Sequence, residues 1–337
     1  MDPFTRYLPP LETALREALV PPPDAPPLLY GMLHYHLGWV DADFRPTQTD
    51  AGKRLRPIFL LLSCEAQGGD WERALPAAAA VELLHNFSLI HDDIEDRDCT
   101  RRGRPTLWPL WGDAQAINAG DALFTLAYGA LQRLPATGCP ADRALVALER
   151  FTQTALRLTE GQCHDMAFEH RSTVTESDYL AMIAGKTAAL LALACELGGL
   201  LADAPAPQTA ALREFGHALG MAFQIEDDLL GLWGDPERTG KPVGSDLRNR
   251  KKTLPILHGL RHAPALAPLL AGDAPLSEET IHTALAILAE AGSRTYAETQ
   301  AATYHQQALR ALTQSHGTGE AQEALHALAQ RLLQRDK

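Results

Sequence analysis

Residues 81–106 read VELLHNFSLIHDDIEDRDCTRRGRPT, and the fold class and chemistry of the chain can both be argued from this stretch. Its first half places apolar side chains about one helical turn apart, which predicts an α-helix. Three carboxylates follow at positions i, i+1 and i+4, namely Asp92, Asp93 and Asp96. On a helix these side chains project from one face. Carboxylates this close repel one another unless a cation offsets their charge, and oxygen ligands favour a hard cation such as Mg²⁺.

A cluster of arginines comes directly after the acidic run: Arg101, Arg102 and Arg104. The planar guanidinium group suits the oxygens of phosphate groups. Mg²⁺ in proteins usually completes its coordination shell with water and substrate phosphate. The stretch is therefore acidic and basic at once, as binding of a metal-bridged phosphate ester requires.

A second stretch repeats the acidic pattern from residue 223, where the chain reads FQIEDDLLGLWGDPERTGKPVGSD. An apolar helical approach again ends in paired carboxylates, Asp227 and Asp228. A single acidic run is most often a solvated helix face. Two such runs, with lysine and arginine between them, favour a diphosphate site with two or three metal ions, formed when folding brings both acidic helix ends to one cavity.

The composition indicates an all-α protein, because alanine and leucine are abundant and runs of β-branched residues are few. Of the 337 residues 46% are hydrophobic, which is enough to bury a substantial core. We see no domain linker and no repeat beyond the two acidic helices, so we expect one helical domain over residues 1–337. The formal net charge of −12 argues against a general nucleic-acid-binding protein.

The cysteines and the apolar segments indicate a cytoplasmic protein with no transmembrane segment. Five cysteines are scattered without a CxxC pair, which is typical of reduced thiols. The start of the sequence lacks the basic and apolar regions of a signal peptide. The most apolar stretch, Thr187 to Ala202, is interrupted by Glu196 and two glycines, so we expect a buried core helix.

Breaks rich in proline and glycine separate the helical segments. We expect helices over residues 29–40, 113–134, 141–170 and 209–233. Pro57 opens another helix, since proline is tolerated in a first turn. A loop is expected through Pro109. Thr175, with Asp178 three residues later, forms a capping box that starts a further helix.

Four motifs resemble, in sequence and in order, those of the trans-prenyl diphosphate synthases, also called polyprenyl synthetases. They are GKRLRP (52–57), LIHDDIEDRDCTRRGRPT (89–106), GKT (185–187) and FQIEDDLLGLWGDPERTGK (223–241), and they define a core of about residues 52–252. The resemblance implies an isoprenoid-synthase-type bundle of helices around a deep central cavity, with the acidic motifs facing each other at its mouth. It also implies a homodimer and a prenyltransferase that joins an allylic diphosphate to isopentenyl diphosphate with Mg²⁺, releasing diphosphate.

The same resemblance implies roles for individual residues. The resemblance assigns the binding of two or three Mg²⁺ ions to Asp92, Asp96 and Asp227, with Asp93 and Asp228 supporting them. The allylic diphosphate is assigned to Arg101, Lys186 and Lys241. Isopentenyl diphosphate is assigned to Lys53, Arg56, His85 and Arg102. The catalytic residues are Lys186, Thr187 and Gln224, of which the last two are expected beside the reacting carbons.

The residues one turn before the first acidic motif are expected to limit the length of the product. Phe87 stands five residues before Asp92 and Ser88 four residues before it. A bulky aromatic at the fifth position, a small residue at the fourth and no insertion in the motif are the pattern of archaeal-type geranylgeranyl diphosphate synthases. The expected product is therefore C20, with C15 as the next candidate.

One position departs from the family pattern. Members usually carry a third acid four residues after the first in the second motif, and here that residue is Gly231. Asp235 stands eight residues after Asp227, about 12 Å along a continuing helix, which is too far to replace the missing acid. Asp246, on the following loop, is a candidate for the outer coordination shell of the metal.

Two other functions are compatible with parts of this pattern. A class I terpene cyclase shares the first acidic motif, but it carries a different second motif and needs no isopentenyl diphosphate site. A non-catalytic partner subunit of a heteromeric prenyl synthase tends to lose acids from the first motif, which is intact here. Of the two acidic motifs, only the second, through Gly231, favours the partner subunit.

Overall fold

The computed structural model describes residues 3–47, 49, 52–171, 173–236, 242–272 and 274–333. Almost all regular structure in these residues is helical. The exception is a short antiparallel hairpin in which β1 (Thr100–Arg101) pairs with β2 (Arg104–Pro105), next to one isolated bridge. The all-α prediction is confirmed, and the hairpin carries the arginines that follow the first acidic motif.

The helices are numbered in chain order. They are α1 (Pro3–Ala18), α2 (Pro27–His36), α3 (Leu55–Ala66), α4 (Leu75–Glu95), α5 (Leu107–Trp111), α6 (Asp113–Leu131), α7 (Ala141–His170), α8 (Glu176–Ile183), α9 (Ala189–Leu201), α10 (Ala206–Trp233), α11 (Ser245–Arg248), α12 (Leu254–His262), α13 (Leu266–Leu269), α14 (Glu278–Glu290), α15 (Ser293–Gln314) and α16 (Gly319–Leu333). Short 3₁₀ turns cover Trp71–Ala74 and Leu134–Thr137, and a π-helical turn covers Ala184–Ala188.

Most predicted helix boundaries agree with the structure. Helix α7 has the predicted bounds, and the capping box is present, since the Thr175 hydroxyl accepts from the Asp178 backbone while the Asp178 carboxylate accepts from Thr175. The predicted loop through Pro109 is wrong, because residues 107–111 form α5. Proline is tolerated there since the first turn of a helix has no intrahelical partners for its N–H groups.

The chain divides into two compact units. Unit 1 comprises residues 1–152, 194–209 and 316–325. Within it α4 packs along α6 and also contacts α1 and α3. Ala77 to Ala80 are buried, and their small side chains let neighbouring helices approach closely. Leu83 and Leu84 are wholly buried on the same helix, and each contributes about 1.5–3 kcal/mol of hydrophobic stabilisation.

Unit 2 comprises residues 153–193, 210–315 and 326–337. Its core gathers apolar side chains from the end of α7 and from α8, α10, α12 and α15. On α10 the contributing residues Met221, Ile225 and Leu229 are spaced by four, so one face of this helix lies against the core. The same helix carries the second pair of acids.

The π-helical turn 184–188 lies against α7 with almost no side chain between the two backbones. A Cβ added to Gly161 would lie 2.2 Å from the Lys186 backbone nitrogen, and one added to Gly185 would lie 2.7 Å from the Arg157 carbonyl oxygen. Both contacts are shorter than real Cβ atoms allow, so glycine is required on both sides. This close approach fixes the position of the GKT motif on its helix.

A single helical run in the described residues, Glu176–Leu201, is long and apolar enough to cross a membrane by length and composition. However, 61% of its most apolar window is buried inside the protein. That burial is typical of the core helix of a soluble protein, which agrees with the expectation from the sequence.

Candidate active site

In unit 1 the GKRLRP motif lies beside the arginines of the hairpin. Gly52 has φ +86°, and a Cβ at this position would lie 2.4 Å from Nη2 of Arg102. Only glycine combines this backbone conformation with so close an approach. Arg102 has φ +53° at the turn of the hairpin. Two residues assigned to different motifs in the sequence are therefore brought together by the fold.

Arg56 and His85 form a direct pair. Nη1 of Arg56 lies 3.0 Å from Nε2 of His85. Burial lowers the pKa of His85 well below its usual value, and the positive charges of Arg56 and Arg102 lower it further. The imidazole is therefore neutral, and Nε2 accepts from Arg56. Its Nδ1–H is then a donor suited to an anionic ligand.

The first acidic motif ends α4, and its carboxylates have different surroundings. Asp96 follows the last turn, with its backbone N–H bonded to the Asp92 carbonyl at 2.8 Å, and its side chain is exposed. Asp93 is buried and accepts from Nε of Arg101 at 2.7 Å. Burial raises the pKa of Asp93 to about 6 against the lowering effect of Arg101. The Arg101 guanidinium also lies 3.7 Å from Asp92.

Arg54 was not identified from the sequence, although it stands inside the GKRLRP motif. It is buried, with φ +48°, and donates to Glu82 at 2.7 Å and Glu12 at 3.0 Å. Asn86 adds two hydrogen bonds to Glu82, one from its side chain to each of the carbonyl and carboxylate oxygens. This buried ion pair anchors the GKRLRP segment to α4, ten residues (about three helical turns) before the acidic motif.

Arg104 is committed to the fold rather than to a ligand. Its guanidinium donates to the carbonyl oxygens of Tyr35 and Val40 and to the Thr49 hydroxyl, and it lies 3.9 Å from the centroid of the Tyr35 ring. The resemblance assigns no ligand to Arg104. Its assignment of Arg101 and Arg102 to diphosphate binding stays a prediction.

Phe87 begins a column of aromatic rings in unit 1. Its ring centroid lies 4.9 Å from that of Phe124, which is 5.3 Å from Tyr128, which in turn is 5.1 Å from Phe151. Phe151 is fully buried. The neighbouring Ser88 hydroxyl donates to the His85 carbonyl and leaves no bulk beside Phe87.

In unit 2 Lys186 donates to Asp165 at 2.6 Å. Asp165 lies on α7, one turn after the Gly161 contact with the π turn. It had no signal in the sequence, because the two residues are on separate helices and only the glycine contact brings them together. The carboxylate holds the ammonium group in place without fully burying it.

Thr187, Gln224, Asp228 and Tyr179 form a chain of hydrogen bonds in unit 2. The Thr187 hydroxyl donates to the Gln224 carbonyl at 2.7 Å, the Gln224 amide donates to Asp228 at 3.0 Å, and the Tyr179 hydroxyl donates to Asp228 at 2.5 Å. Burial raises the pKa of Asp228 to about 7, while the bonds from Tyr179 and Gln224 lower it. Tyr179 was not identified from the sequence.

Gly231 lies directly against Asp246. A Cβ at Gly231 would lie 2.2 Å from Oδ2 of Asp246, and the Ser245 hydroxyl donates to the Gly231 carbonyl at 3.0 Å. The Asp246 carboxylate therefore occupies the space where the third acid of the motif would begin. Asp227, one residue before the buried Asp228, is partly exposed on the same helix.

Two assigned residues remain outside these clusters. Lys53 is exposed at the approach to α3. Lys241 lies outside the described residues. The two acidic motifs belong to different units, so their convergence on one cavity stays a prediction.

The polyprenyl synthetase family profile matches residues 39–288 of the chain. The chain belongs to the polyprenyl synthetase family. A geranylgeranyl diphosphate synthase of Mycobacterium tuberculosis is 46% identical over 265 residues, covering 77% of this chain and 75% of that protein. A (2E,6E)-farnesyl diphosphate synthase of Mycobacterium bovis is 43% identical over 282 residues, covering 82% and 77%. This member of the family is a prenyltransferase of the farnesyl and geranylgeranyl diphosphate synthase type.

Solved structures of the family have the same fold. The crystal structure of geranylgeranyl pyrophosphate synthetase from Pyrococcus horikoshii matches with a TM-score of 0.88 at 35% identity, covering 99% of this chain and 98% of that one. The predicted fold class is thereby confirmed. A polyprenyl synthase from Caulobacter crescentus, 27% identical with a TM-score of 0.83 and coverage of 99% and 96%, was solved with calcium and isoprenyl diphosphate.

The donor set on α4 fits a divalent cation of the kind this family uses. Asp92 and Asp96 offer hard carboxylate oxygens one helical turn apart, whereas Asp93 is occupied by Arg101. Across the described part of the chain, no three His, Cys, Asp or Glu side chains form a ready metal centre. Mg²⁺ does not need one, because it commonly binds one or two carboxylates and takes its other ligands from water and substrate phosphate.

Proposed function

We propose that this protein is a short-chain trans-prenyl diphosphate synthase that condenses isopentenyl diphosphate with an allylic diphosphate, and that its main product is geranylgeranyl diphosphate (C20). The observation that carries the proposal is the assembly in unit 1 of Arg56, His85 and Arg102 behind the acidic end of α4. A cationic surface for one diphosphate beside carboxylates for a metal-bound second diphosphate is what a two-substrate prenyltransferase requires.

We assign the metal ligands as Asp92 and Asp96, with Asp227 for a further ion and with Asp93 and Asp228 supporting them. Bound Mg²⁺ would offset the negative charge of the leaving diphosphate as the allylic C–O bond breaks. Asp93 supports the site through Arg101, since it holds that guanidinium beside Asp92. Arg101, Lys186 and Lys241 would add positive charge to the same diphosphate.

Isopentenyl diphosphate is assigned to Lys53, Arg56, His85 and Arg102. The neutral His85 can donate through Nδ1, while its Nε2 is held by Arg56. The buried pair of Arg54 and Glu82 fixes the backbone from which Lys53 and Arg56 extend. No metal is needed in this part of the site, because the charges of the diphosphate are met by arginine and lysine.

Thr187 and Gln224 are assigned to the surroundings of the reacting carbons, with Lys186 at the same helical turn. Carbonyl and hydroxyl dipoles stabilise a cation when their oxygen atoms face it. The proton lost after C–C bond formation is assigned to the released diphosphate, and no protein base is proposed.

The length of the product is assigned to the aromatic column that begins at Phe87. On helix rise the ring lies about 7–8 Å below Asp92, which suits a short product. Because Phe124 and Tyr128 pack behind it, Phe87 cannot easily turn aside as a chain grows. We therefore propose a C20 product first and C15 second.

One assay tests the function and both alternatives. Purified protein is given Mg²⁺, labelled isopentenyl diphosphate and, in turn, dimethylallyl, geranyl or farnesyl diphosphate. Elongated diphosphates support the synthase, and chromatography of the dephosphorylated products gives the chain length. A hydrocarbon formed from the allylic substrate alone would instead indicate a terpene cyclase, and no turnover would indicate a non-catalytic partner subunit.

Several further properties belong to the same proposal. The family resemblance supports a homodimer, a single domain and a cytoplasmic location. Sedimentation of the purified protein tests the dimer, and a single cooperative unfolding transition, seen alike by two spectroscopic probes, tests the single domain.

A further inference from the structure

The hydrogen bonds around Gln224 determine which way its amide points. Asp228 accepts from the Gln224 amide on Oδ1, while its Oδ2 accepts from the Tyr179 hydroxyl and, at 3.4 Å, from the Leu254 backbone N–H. A carboxylate oxygen can only accept, so the Gln224 side chain turns its NH₂ group towards Asp228. The donors from Tyr179 and Leu254 bind the other oxygen and hold the carboxylate in the orientation that accepts from Gln224. The carbonyl oxygen of Gln224 then faces Thr187.

This orientation also determines the polarity of the Thr187 hydroxyl. The Gln224 oxygen can only accept, so Thr187 must donate its proton to it. The lone pairs of the hydroxyl oxygen remain for any group on its other side. If the Gln224 amide were reversed, its NH₂ group would face Thr187, and the hydroxyl proton would turn outwards instead. An outward oxygen stabilises a cation, and an outward proton repels it.

We propose that Tyr179 and Asp228 are positioning residues that set this polarity, so that Thr187 presents oxygen rather than hydrogen to the allylic cation. The proposal rests on the function proposed above, in which Thr187 lies beside the reacting carbons. Besides its assigned support of the metal ligands, Asp228 then acts on the reaction through Gln224 and Thr187.

Tyr179 is suited to this role because its ring is buried and tightly packed. Its side chain is 1% exposed and packs with Phe168, Met182 and Ile225 in the core of unit 2. Burial and the adjacent Asp228 raise the pKa of Tyr179 well above its ordinary value, so the hydroxyl keeps its proton and remains a donor. Because the ring is packed in the core, the Tyr179 hydroxyl stays directed at Oδ2 of Asp228.

The test is a Tyr179→Phe variant, which removes the hydroxyl and keeps the ring. We expect kcat to fall about tenfold, the effect of one misdirected hydrogen bond at the reacting centre. KM for both diphosphates should stay within about twofold, because the groups that bind them are unchanged. Tyr304→Phe is the matched control: this tyrosine packs against the same core, and its kcat should equal that of the wild type.

A double variant separates positioning from general structural damage. Thr187→Val removes the hydroxyl whose polarity is in question. If Tyr179 acts through that hydroxyl, Tyr179→Phe causes no further loss of kcat in the Thr187→Val background. Independent effects that multiply, a loss confined to KM, or an equal loss in Tyr304→Phe would each overturn the proposal. A wild-type protein without condensing activity would instead overturn the proposed function, so the two failures are distinguishable.

Discussion

Gly231→Ala tests whether Asp246 really fills the space of the missing acid. The added Cβ would lie 2.2 Å from Oδ2, 2.5 Å from Cγ and 2.7 Å from Oδ1 of Asp246. To reach ordinary contact distance the carboxylate must retreat by more than ~1 Å. The hydrogen bond from Ser245 to the Gly231 carbonyl resists that movement, because it holds the start of α11 against α10.

Two opposing effects give the magnitude. Alanine in a helix interior is more favourable than glycine by about 1 kcal/mol. Overpacking typically costs about 1–3 kcal/mol. In an Asp246→Ala background the clash is gone, so Gly231→Ala should stabilise the protein by its full propensity gain. The coupling free energy between the two substitutions should therefore be about 1–3 kcal/mol.

Urea unfolding of the four proteins of this cycle measures that coupling. Gly129→Ala is the matched control: it lies inside α6, nothing lies within 4 Å of the added Cβ, and it should stabilise the protein by about 1 kcal/mol. Additivity of the two substitutions within about 0.5 kcal/mol would refute the reasoning.

The same contact bears on the metal site. Gly231→Asp restores the usual family motif, yet it would press a second carboxylate onto Asp246. We expect this variant to bind Mn²⁺, measured by electron paramagnetic resonance as a substitute for Mg²⁺, more weakly than the wild type. The Gly231→Asp/Asp246→Ala double variant should recover most of the binding. Tighter Mn²⁺ binding by Gly231→Asp alone would contradict this reasoning. It would show that Asp246 does not take the place of the acid that Gly231 replaces.

Three further outcomes are expected. Phe87→Ala should lengthen the prenyl product, measured by chromatography of the dephosphorylated products. An unchanged chain-length distribution would show that Phe87 does not limit the length of the product. Gly161→Ala should lower kcat at least about tenfold, since its Cβ meets the Lys186 backbone at 2.2 Å. Burial and the charge of Arg102 lower the pKa of His36 to about 3. Between about pH 6.5 and 3 the His36 imidazole is therefore protonated in the unfolded chain but not in the folded protein. In this pH range the free energy of unfolding falls by about 1.4 kcal/mol for each unit by which the pH is lowered. Denaturant unfolding as a function of pH should show that His36→Asn removes this contribution, which corresponds to one proton.

Most of the helices, and most of the residues that cluster in unit 1, could be predicted from the sequence. Apolar periodicity gives α4, and the Thr175 capping box gives the start of α8, because both signals lie within a few neighbouring residues. The motif GKRLRP also singled out Arg56 as a candidate for diphosphate binding, and the structure places it beside His85. The motif did not identify Arg54, since a buried arginine and a solvated one look alike until Glu82 is placed beside it.

The contacts of unit 2 were less accessible, because they depend on which helix faces meet. Asp165 and Lys186 come from separate helices whose approach is set by glycine contacts. The family resemblance assigned Asp227 as a metal ligand and Asp228 as a supporting residue, but the sequence identified no partner for either acid. The structure distinguishes them, because only Asp228 is buried and accepts from Tyr179 and Gln224.

The π turn at 184–188 changes the angular phase between the two ends of its helix. Tyr179 and Thr187 are eight residues apart, which on a regular α-helix would place them about 80° out of alignment. A π turn takes up one additional residue, so the pair behaves as if seven residues apart, about 20° from alignment. Both side chains can then reach the same stripe of α10. If the same residues instead formed a regular α-helix, the offset of about 80° would return, and the Tyr179 hydroxyl would turn away from the stripe of α10 that Thr187 contacts.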